Sequence, residues 1–470
     1  MNKRSVLFVS LVTVVALATQ FGGAAVAAPK ATGNGWSSAQ AISGVNQPDS
    51  RGGSQLNDVA VNPSGLTIAA WDQYSYTNGG GATIGAAVRS GGRWAAPFTI
   101  SGTAGYSMDP RVAVGADGTM AVSWVHQDPV SSTNPMQYAE VAVKTAASST
   151  WTTTQLATGP QGGVAIAGFV PIGIDPSGNV TAVWNLWDGT KHVVRSATLP
   201  SGSGSWTAPV TLSAPGADGL YIDLSVNAAG DAGVVYSLSP YTTYSTGTNA
   251  QYAFRSGPTG TWTAPVTASE TLMSWVGYVT GPDVALDGSG LATVVYMGNT
   301  IEGVRQLAGG GFTSPSSLIA AAVPGSSYMS IDLGIDRNGN SVVAASIFDP
   351  TVNVDRSSVW VARGDANGAW TPANRLTDPA VPVDAYASRV AVSPDGTLAL
   401  VGWIDHYHGT VQVSRLVANA WGPATIIGRG TAFGAFQEVL GLDAASGTVA
   451  AAVWKNAKTG TQTMASSYKA

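Results

Sequence analysis

A unit of about 55 residues recurs along the chain, and it constrains the fold more than any other feature of the sequence. Each copy contains a short apolar run, a four-residue turn that ends in glycine, and a second apolar run that usually ends in an aromatic residue. Turns such as Asn-Pro-Ser-Gly join antiparallel strands, because Pro presets φ and Gly accepts a positive φ. The turn glycines are Gly65, Gly118, Gly178, Gly230, Gly290, Gly339, Gly396 and Gly447.

A second motif follows each unit and completes a set of four predicted strands. It is an aromatic residue after a turn, often followed by Pro, as at Trp94 and Trp262. A third strand-like run lies between the two motifs, for example at 252–255, and helical periodicity is absent beyond residue 27. Four strands in each of eight repeats predict an all-β fold, a single eight-bladed β-propeller with four-stranded antiparallel blades. Seven blades is the alternative if one repeat is irregular.

The predicted blades are called repeats 1 to 8. They cover approximately 58–101, 111–158, 171–213, 223–268, 283–319, 332–377, 389–428 and 438–470. Repeat 8 contains only three predicted strands, whereas an isolated strand at 34–43 precedes repeat 1. Pairing the two would complete one blade and remove an open sheet edge. The sequence therefore predicts that the N-terminal strand closes the last blade.

Twelve of the 15 Trp lie at the ends of predicted second strands or at the start of fourth strands. The strands beside them are rich in Val, Ala and Gly on both faces, as at 119–123. A blade lies between two neighbours, so both faces of its sheet are buried. We therefore interpret these Trp residues as packing between blades and not as ligand contacts.

Residues 1–27 are typical of a secretory signal peptide. Lys3 and Arg4 precede an uncharged apolar run, and small residues at 25–27 supply a cleavage position. A membrane anchor is the alternative, because the run approaches the length of a short span. The small-residue site directly after the run favours the signal peptide. The sequence thus predicts a secreted, extracellular protein without a membrane anchor, with its propeller at 28–470.

The composition excludes several classes of function. Only 10% of the residues are charged and the net charge is −5, whereas a nucleic-acid binder needs clustered Lys and Arg to neutralise phosphates. There is no Cys, which removes disulfides, thiolate metal ligands and a Cys nucleophile. With 44% hydrophobic residues, the chain also lies outside the disordered class. Neither a cofactor nor a nucleic-acid partner is expected.

The repeat resembles that of secreted actinobacterial β-propeller proteins, in which apolar strands around an Asp-x-x-Gly-type turn precede a Gly-x-Trp-x-x-Pro motif. The resemblance covers roughly 34–470 and implies the architecture. The chain is more distantly similar to sialidase-type propellers, but it lacks their Ser-x-Asp-x-Gly-x-x-Trp box. Only four Glu are present, and neither a Tyr–Glu pair nor an arginine cluster is visible as a motif. No catalytic residue is therefore carried over.

The connections between strands fall on two faces of the predicted ring. Those between first and second strands, and between third and fourth, are short and alike; the others are long and variable, and we call their side the loop-rich face. Variable loops on a rigid scaffold commonly carry binding residues, and exposed Tyr and Trp suit sugar rings and proteins alike. Loop-on-loop packing is the alternative interpretation. The aromatic candidates are Tyr74, Tyr76, Trp187, Tyr241, Tyr244, Trp275, Tyr278 and Tyr407.

Titratable candidates lie in the same loops. His126 and Asp128 follow the second strand of repeat 2, and Asp405, His406 and His408 follow that of repeat 7. A His or a buried carboxylate can be tuned to act as an acid or a base near neutral pH. The two His at i and i+2 could also share a metal ion, although a polar loop tip with solvated His is the simpler interpretation. We expect these residues to bind a ligand, without a catalytic or a metal site.

Two functions remain open. The first is a secreted, non-catalytic binding protein, lectin-like or an adaptor, that recognises a cell-surface or cell-wall glycan or a protein partner, for example as the targeting subunit of a toxin-like assembly. The alternative is an extracellular polysaccharide-active enzyme, a lyase or a glycoside hydrolase, with its site on the loop-rich face. The scarcity of Glu and the absence of a paired-acid motif favour binding over catalysis.

Overall fold

The computed structural model describes residues 35–43, 57–75, 81–129, 136–160, 168–214, 218–239, 249–269, 281–320, 326–351, 357–429, 440–456 and 462–469. Within these ranges the chain forms strands and turns only, which confirms the all-β class. No helix that could span a membrane occurs in them. The predicted signal peptide lies outside the described residues.

Each repeat contributes strands in the predicted order. The first strands are Asn57–Val61, Tyr106–Val114, Ile172–Ile174, Asp218–Val226, Asp283–Leu286, Ser327–Ile335, Ala385–Val392 and Gly441–Ser446. The second strands are Thr67–Ser75, Met120–Gln127, Val180–Trp187, Ala232–Ser239, Ala292–Met297, Ser341–Phe348, Ala399–Asp405 and Val449–Asn456. The third strands are Gly81–Ser90, Met136–Lys144, His192–Leu199, Asn249–Arg255, Ile301–Arg305, Ser357–Gly364, Thr410–Val417 and Gln462–Lys469. The outer strands are Gln40–Ala41, Arg93–Trp94, Phe98–Thr99, Thr152–Pro160, Val210–Thr211, Val266–Thr267, Ser316–Ile319, Asn374–Arg375, Ala420–Trp421 and Thr425–Arg429.

Most outer strands are shorter than the sequence predicts. Those of repeats 3, 4 and 6 are two residues long, whereas that of repeat 2, Thr152–Pro160, has nine. The aromatic motif explains the difference, because its Pro has no N–H to donate to a neighbouring strand. Repeat 2 lacks this Pro after Trp151, so its outer strand continues along Met136–Lys144.

The strands of each repeat pair antiparallel in chain order, as predicted. The described residues form seven sheets, because repeats 1 and 2 share one sheet of nine strands. A single parallel bridge between Ala82 and Tyr106 joins them. Two glycines permit this contact: a Cβ on Gly81 would lie only 2.8 Å from the carbonyl oxygen of Gly105.

The first strands form the centre of the architecture. Consecutive first strands contact one another along the whole chain, and Gly441–Ser446 of repeat 8 also contacts Asn57–Val61 of repeat 1. No sheet closes on itself within the described residues; the sheets meet side by side instead. Antiparallel sheets arranged in this way around their first strands are the architecture of a β-propeller.

The Trp residues at the ends of second strands lie between repeats, as the sequence predicts. Trp71, Trp124, Trp184, Trp403 and Trp454 are all at most 1% exposed. One apolar cluster joins residues of repeat 1 to Val122 and Trp124 of repeat 2, and the other clusters combine neighbouring repeats in the same way. Packing between repeats therefore accounts for the position and the burial of these five Trp side chains.

The N-terminal strand closes the sheet of repeat 8. Gln40 and Ala41 pair with Ala465 and Met464 in the third strand of that repeat. The N–H of Ile42 donates to Thr463, and the ring of Trp36 packs against Tyr468 at 5.5 Å. This pairing agrees with the sequence prediction that the two chain ends complete one four-stranded sheet.

Removing this strand should destabilise the whole ring. A chain that begins at residue 44 loses the hydrogen bonds and the Trp36 packing, at a cost of about 3 kcal/mol or more, and exposes the edge of Gln462–Lys469. A chain that begins at residue 35 retains both and is the control. We expect a lower Tm and association in size-exclusion chromatography for the shorter chain only. Equal Tm values for the two chains would contradict this role.

Gly428 should tolerate no larger residue. A Cβ at this position would lie 2.2 Å from the Trp454 ring, which is fully buried and has no room to move. Gly428→Ala should lower the free energy of unfolding by about 1–3 kcal/mol, as overpacked cores do. Gly309→Ala is the matched control, because no atom lies within 4 Å of the added Cβ. Denaturant melts of both variants measure the difference, and similar losses would show that the Trp454 site is not tightly packed.

Candidate functional site

Five predicted binding residues lie outside the described part of the chain, so their role stays a prediction. They are Tyr76, Tyr241, Tyr244, Trp275 and Tyr278. The backbone of Tyr74 lies in the second strand of repeat 1, opposite Ala82. The remaining candidates fall into three groups, in repeats 2, 3 and 7.

In repeat 7, Asp405 and His408 form a hydrogen-bonded pair. The Asp405 carboxylate accepts Nδ1–H of His408 at 2.6 Å, and it also accepts the side-chain amide of Gln412 at 3.1 Å. The carboxylate thereby orients the imidazole ring of His408 through Nδ1. Nε2 of His408 is buried and has no hydrogen-bond partner among the described residues.

The neighbouring side chains of repeat 7 divide between core and surface. The ring of His406 stacks on Tyr386 at 4.8 Å, and burial lowers the pKa of His406 to about 4. Tyr407 is 42% exposed and lies edge-on to His408 at 4.9 Å. The interpretation of a tip with solvated His is therefore wrong for both His, whose side chains are at least nine-tenths buried.

In repeat 2, His126 and Asp128 serve separate local contacts. Nδ1 of His126 lies 2.9 Å from the hydroxyl of Ser107, and its ring stacks on Tyr138 at 5.6 Å. Asp128 accepts the N–H of Met136 at 3.0 Å and the hydroxyl of Tyr138 at 3.1 Å. These bonds hold together the connection between the second and third strands.

In repeat 3, Trp187 contacts a histidine that the sequence analysis did not assign to this face. The rings of Trp187 and His192 lie 5.2 Å apart, and Nδ1 of His192 lies 3.0 Å from the carboxylate of Asp218 in repeat 4. All four His of the chain therefore lie at the loop-rich end of the repeats: His126 and His192 are at the ends of second and third strands, and His406 and His408 lie in the connection between them.

These three groups make their hydrogen bonds within their own repeat or with the next one, and the structure does not bring them together in one site. No cluster of three or more His, Asp or Glu that could hold a metal ion occurs in the part of the chain that the structure describes. The described residues therefore supply no third ligand for a metal ion that His406 and His408 could share.

A further set of charged side chains, which was not predicted from the sequence, projects from the first strands. Asp58 interacts electrostatically with Arg111 of repeat 2 and Arg389 of repeat 7, and Asp332 of repeat 6 interacts with Asp58 and Asp223. Repeats far apart in the chain thus present charges to one another at the centre. We call this set the axial cluster; its members are Asp58, Arg111, Asp223, Asp283, Asp332, Arg389 and Asp443.

The axial carboxylates join neighbouring repeats. Each accepts the main-chain N–H of a residue in the first strand of the next repeat, at 2.5–3.0 Å. The pairs are Asp58 with Val112, Asp223 with Val284, Asp283 with Leu333, Asp332 with Val390 and Asp443 with Val61. All seven residues of the cluster are half-buried.

Three members of the cluster directly follow a β-bulge. The bulges lie before Arg111, Asp223 and Arg389, and each contains a residue with left-handed φ two positions earlier. Those residues are Asp109, Tyr221 and Ala387, with φ of 60°, 50° and 51°. Non-glycine residues rarely adopt this conformation, and bulges redirect the side chains beside them. The local strain is therefore concentrated at the positions that line the centre.

Burial makes several axial carboxyls weak acids. It raises the pKa of Asp283 well above its usual range, and Asp223, which is hydrogen-bonded to Asp283, raises it further. A hydrogen bond between two carboxyl groups requires a proton on one of them. Burial also raises the pKa of Asp332 to about 6, although Arg389 opposes this, and that of Asp443 to about 6. The cluster thus combines carboxyl groups of raised pKa with two guanidinium groups.

A sequence signal for this cluster was present in the repeat itself. In six of the eight repeats, a charged residue occupies the same position of the first strand. It pairs in register with a residue near the end of the second strand, where most repeats have their aromatic residue. Symmetry-related positions on first strands converge at the axis of a propeller. In a chain with only 10% charged residues, this coincidence could have indicated the cluster.

Comparison with known proteins gives a structural likeness only. No family profile and no curated protein matches the chain, so the resemblance to actinobacterial repeats stays a prediction. The α-L-arabinanase of Penicillium chrysogenum has a TM-score of 0.44 at 12% identity, over 78% of this chain and 94% of its own. A PL25 ulvan lyase has 0.45 at 12%, over 82% and 96%. A Hadza microbial sialidase has 0.40 at 10%, over 88% and 65%. Likeness this remote carries no information on activity.

The raised pKa of Asp332 predicts a pH-dependent stability. Its carboxyl ionises less readily in the folded chain than in the unfolded chain, so its contribution to stability falls as the pH rises through about 6. Asp332→Asn keeps an oxygen to accept the N–H of Val390 and removes the ionisation. We expect this variant to be more stable than the wild type by about 1–2 kcal/mol at pH 7.5 and to keep only part of this advantage at pH 5, because the penalty disappears fully only below the pKa of the unfolded chain.

Thermal melts between pH 5 and 7.5 measure this difference. Asp395→Asn is the control, because the hydrogen bonds to Asp395 from Ser393 and Thr397 outweigh burial and lower its pKa to about 2, outside that range. The control should shift Tm by the same amount at every pH. A parallel pH dependence for Asp332→Asn and the wild type would contradict the prediction.

Proposed function

We propose that the chain is an extracellular carbohydrate-active enzyme of the glycoside hydrolase type, with its acid–base groups in the axial cluster. The observation that carries the proposal is the axial cluster itself, in which five carboxyl groups and two arginines lie half-buried on the first strands, and burial and Asp223 raise the pKa of Asp283. Perturbed carboxyls of this kind concentrate at catalytic sites, since acid–base chemistry needs one carboxyl protonated and another ionised.

The cluster offers a group for each step of glycoside hydrolysis. Asp283, whose pKa burial raises well above its usual range, would donate its proton to the glycosidic oxygen as the bond to the anomeric carbon breaks. An ionised carboxylate would take a proton from the attacking water, whose oxygen bonds to that carbon. Asp58 is our candidate for this second role: burial raises its pKa, which makes the carboxylate a stronger base, and Arg111 and Arg389 offset part of that rise.

The charge of the cluster favours hydrolysis over elimination. Lyases act on sugars that carry a carboxylate, and such a substrate needs an excess of cationic groups to hold it. Here five carboxyl groups surround two guanidiniums. One N–H of each guanidinium already bonds to a main-chain carbonyl, at Pro110 and Ser388. A neutral glycan is therefore the substrate class that we propose.

We also propose that the chain forms an eight-bladed ring and is exported from the cell. The contacts between consecutive first strands, and between those of repeats 8 and 1, support eight blades. The charged start, apolar run and small residues at 1–27 support secretion. Extracellular glycans are the polymers that a secreted enzyme meets.

A non-catalytic binding protein is the second candidate, and a specific observation favours it. Each axial carboxylate already accepts a main-chain N–H of the next repeat, so the ring has a structural use for these groups. The ligand, a glycan or a protein partner, would then bind on the loop-rich face, where Tyr407 is exposed.

Turnover of neutral polysaccharides separates the two candidates. The wild type should release reducing ends, and Asp283→Asn and Asp58→Asn should lower kcat by about 100-fold or more, as the loss of an acid or a base does. Asp395→Asn, in an exposed turn, should retain activity, and circular dichroism checks that all variants fold. Glycan binding without product, lost in Tyr407→Ala but kept in Asp283→Asn, would refute the enzyme and support the binding protein.

A further inference from the structure

Two buried polar residues, Lys455 and Asp72, and the half-buried Asp109 connect repeats 8, 1 and 2. Lys455, which directly follows Trp454, is 2% exposed and donates from Nζ to the main-chain oxygen of Asp72 at 3.0 Å. Asp72, which directly follows Trp71, is 1% exposed, and its carboxylate accepts the N–H of Asp109 at 3.1 Å. The contacts therefore run from the last repeat to the first, and from the first to the second.

The last residue of this connection lies in the bulge before Arg111. Asp109 has φ of 60°, in the left-handed region that non-glycine residues seldom adopt. The bond from its N–H to Asp72 holds this conformation. Pro110 then fixes the next φ, and its carbonyl accepts Nη1 of Arg111 at 2.9 Å.

Arg111 reaches its place in the axial cluster from this bulge. Its guanidinium lies over the ring of Phe169 at 3.8 Å and interacts with Asp58, Asp109 and Asp223. Without the bulge, the strand would shift by one residue relative to Met120–Gln127, and the side chain at this position would change face.

We propose that Asp72 is a positioning residue, which fixes the Asp109 bulge and thereby directs Arg111 into the axial cluster. Lys455 holds Asp72 in turn, so that the repeat completed by the N-terminal strand supports the axial groups. The catalytic consequence rests on the proposed function, but the positioning of Arg111 does not, because it can be measured without a substrate.

The titration of Asp58 reports where Arg111 lies. Burial raises the pKa of Asp58, Arg111 and Arg389 lower it, and the N–H groups of Val112 and Val59 also lower it. Asp332 and Asp443 are the further carboxyls that Asp58 affects. Displacing Arg111 should therefore raise the pKa of Asp58, while the other groups stay in place.

The experiment follows the carboxyl carbon of Asp58 by NMR in protein labelled at Asp, with the resonance assigned by its loss in Asp58→Asn. Arg111→Met sets the size of the effect, expected as an upward shift of about one pH unit. Asp72→Ala should shift the midpoint in the same direction. Asp72→Asn keeps an oxygen for the Asp109 N–H and should restore the wild-type value.

Asn185→Ala is the matched structural control. Asn185 is fully buried at the equivalent place after Trp184, and its amide donates to Gly219 of the next repeat at 3.4 Å. This variant should lower Tm as Asp72→Ala does, with no change at Asp58. If Asp72→Ala does not fold, Lys455→Met tests the same connection from its other end, and it should raise the Asp58 midpoint.

Two results would overturn the proposal. The first is an unchanged Asp58 midpoint in a folded Asp72→Ala or Lys455→Met variant, which would make Asp72 a residue of stability alone. The second is an Asp72→Asn variant that shifts as far as Asp72→Ala, which would assign the effect to the charge of Asp72 and not to its hydrogen bond. The NMR titration uses no substrate. Its result therefore tests the positioning of Arg111 even if the chain proves to have no hydrolase activity.

Discussion

The hydrogen bond from a first-strand N–H to the carboxylate of the preceding repeat is the interaction on which the ring depends. First strands of neighbouring repeats meet at an angle and cannot continue one another as a sheet, so the main-chain groups between them need another partner. Asp58 and its equivalents supply it at five junctions. The same arrangement brings carboxyls close together, and the burial that follows makes Asp283 and Asp332 weak acids.

Under the proposed function, stability and chemistry use the same side chains. A carboxylate that joins two repeats is held in place by its neighbour, which gives the rigid placement that acid–base catalysis requires. Grouping like charges is unfavourable, and Arg111 and Arg389 offset part of this cost at Asp58. A site of this kind needs no loop to form it, so the variable connections of the loop-rich face remain free to select what reaches the centre.

Much of the architecture could be predicted from residues that act locally. Gly65 and its equivalents set the turns, the Trp residues mark the contacts between repeats, and Trp36 identifies the closing strand. Proximity in the chain does not indicate the axial cluster, because Asp58 and Asp332 are brought together by rotation around an axis. Only the recurrence of a charged residue at one position of the repeat indicates it. The burial of His406 likewise depends on Tyr386, which approaches from another strand.

The closing strand has a consequence for how the chain folds. Ser37 and its hydrogen-bond partner Ser466 lie 429 residues apart, close to the largest separation that the chain permits. Contacts of this kind form late, because the ends must meet after the intervening chain is ordered. During synthesis the N-terminal closing strand has no partner until the third strand of repeat 8 emerges. An incomplete ring therefore exposes a sheet edge. Successful folding then depends on keeping that edge from pairing with another molecule.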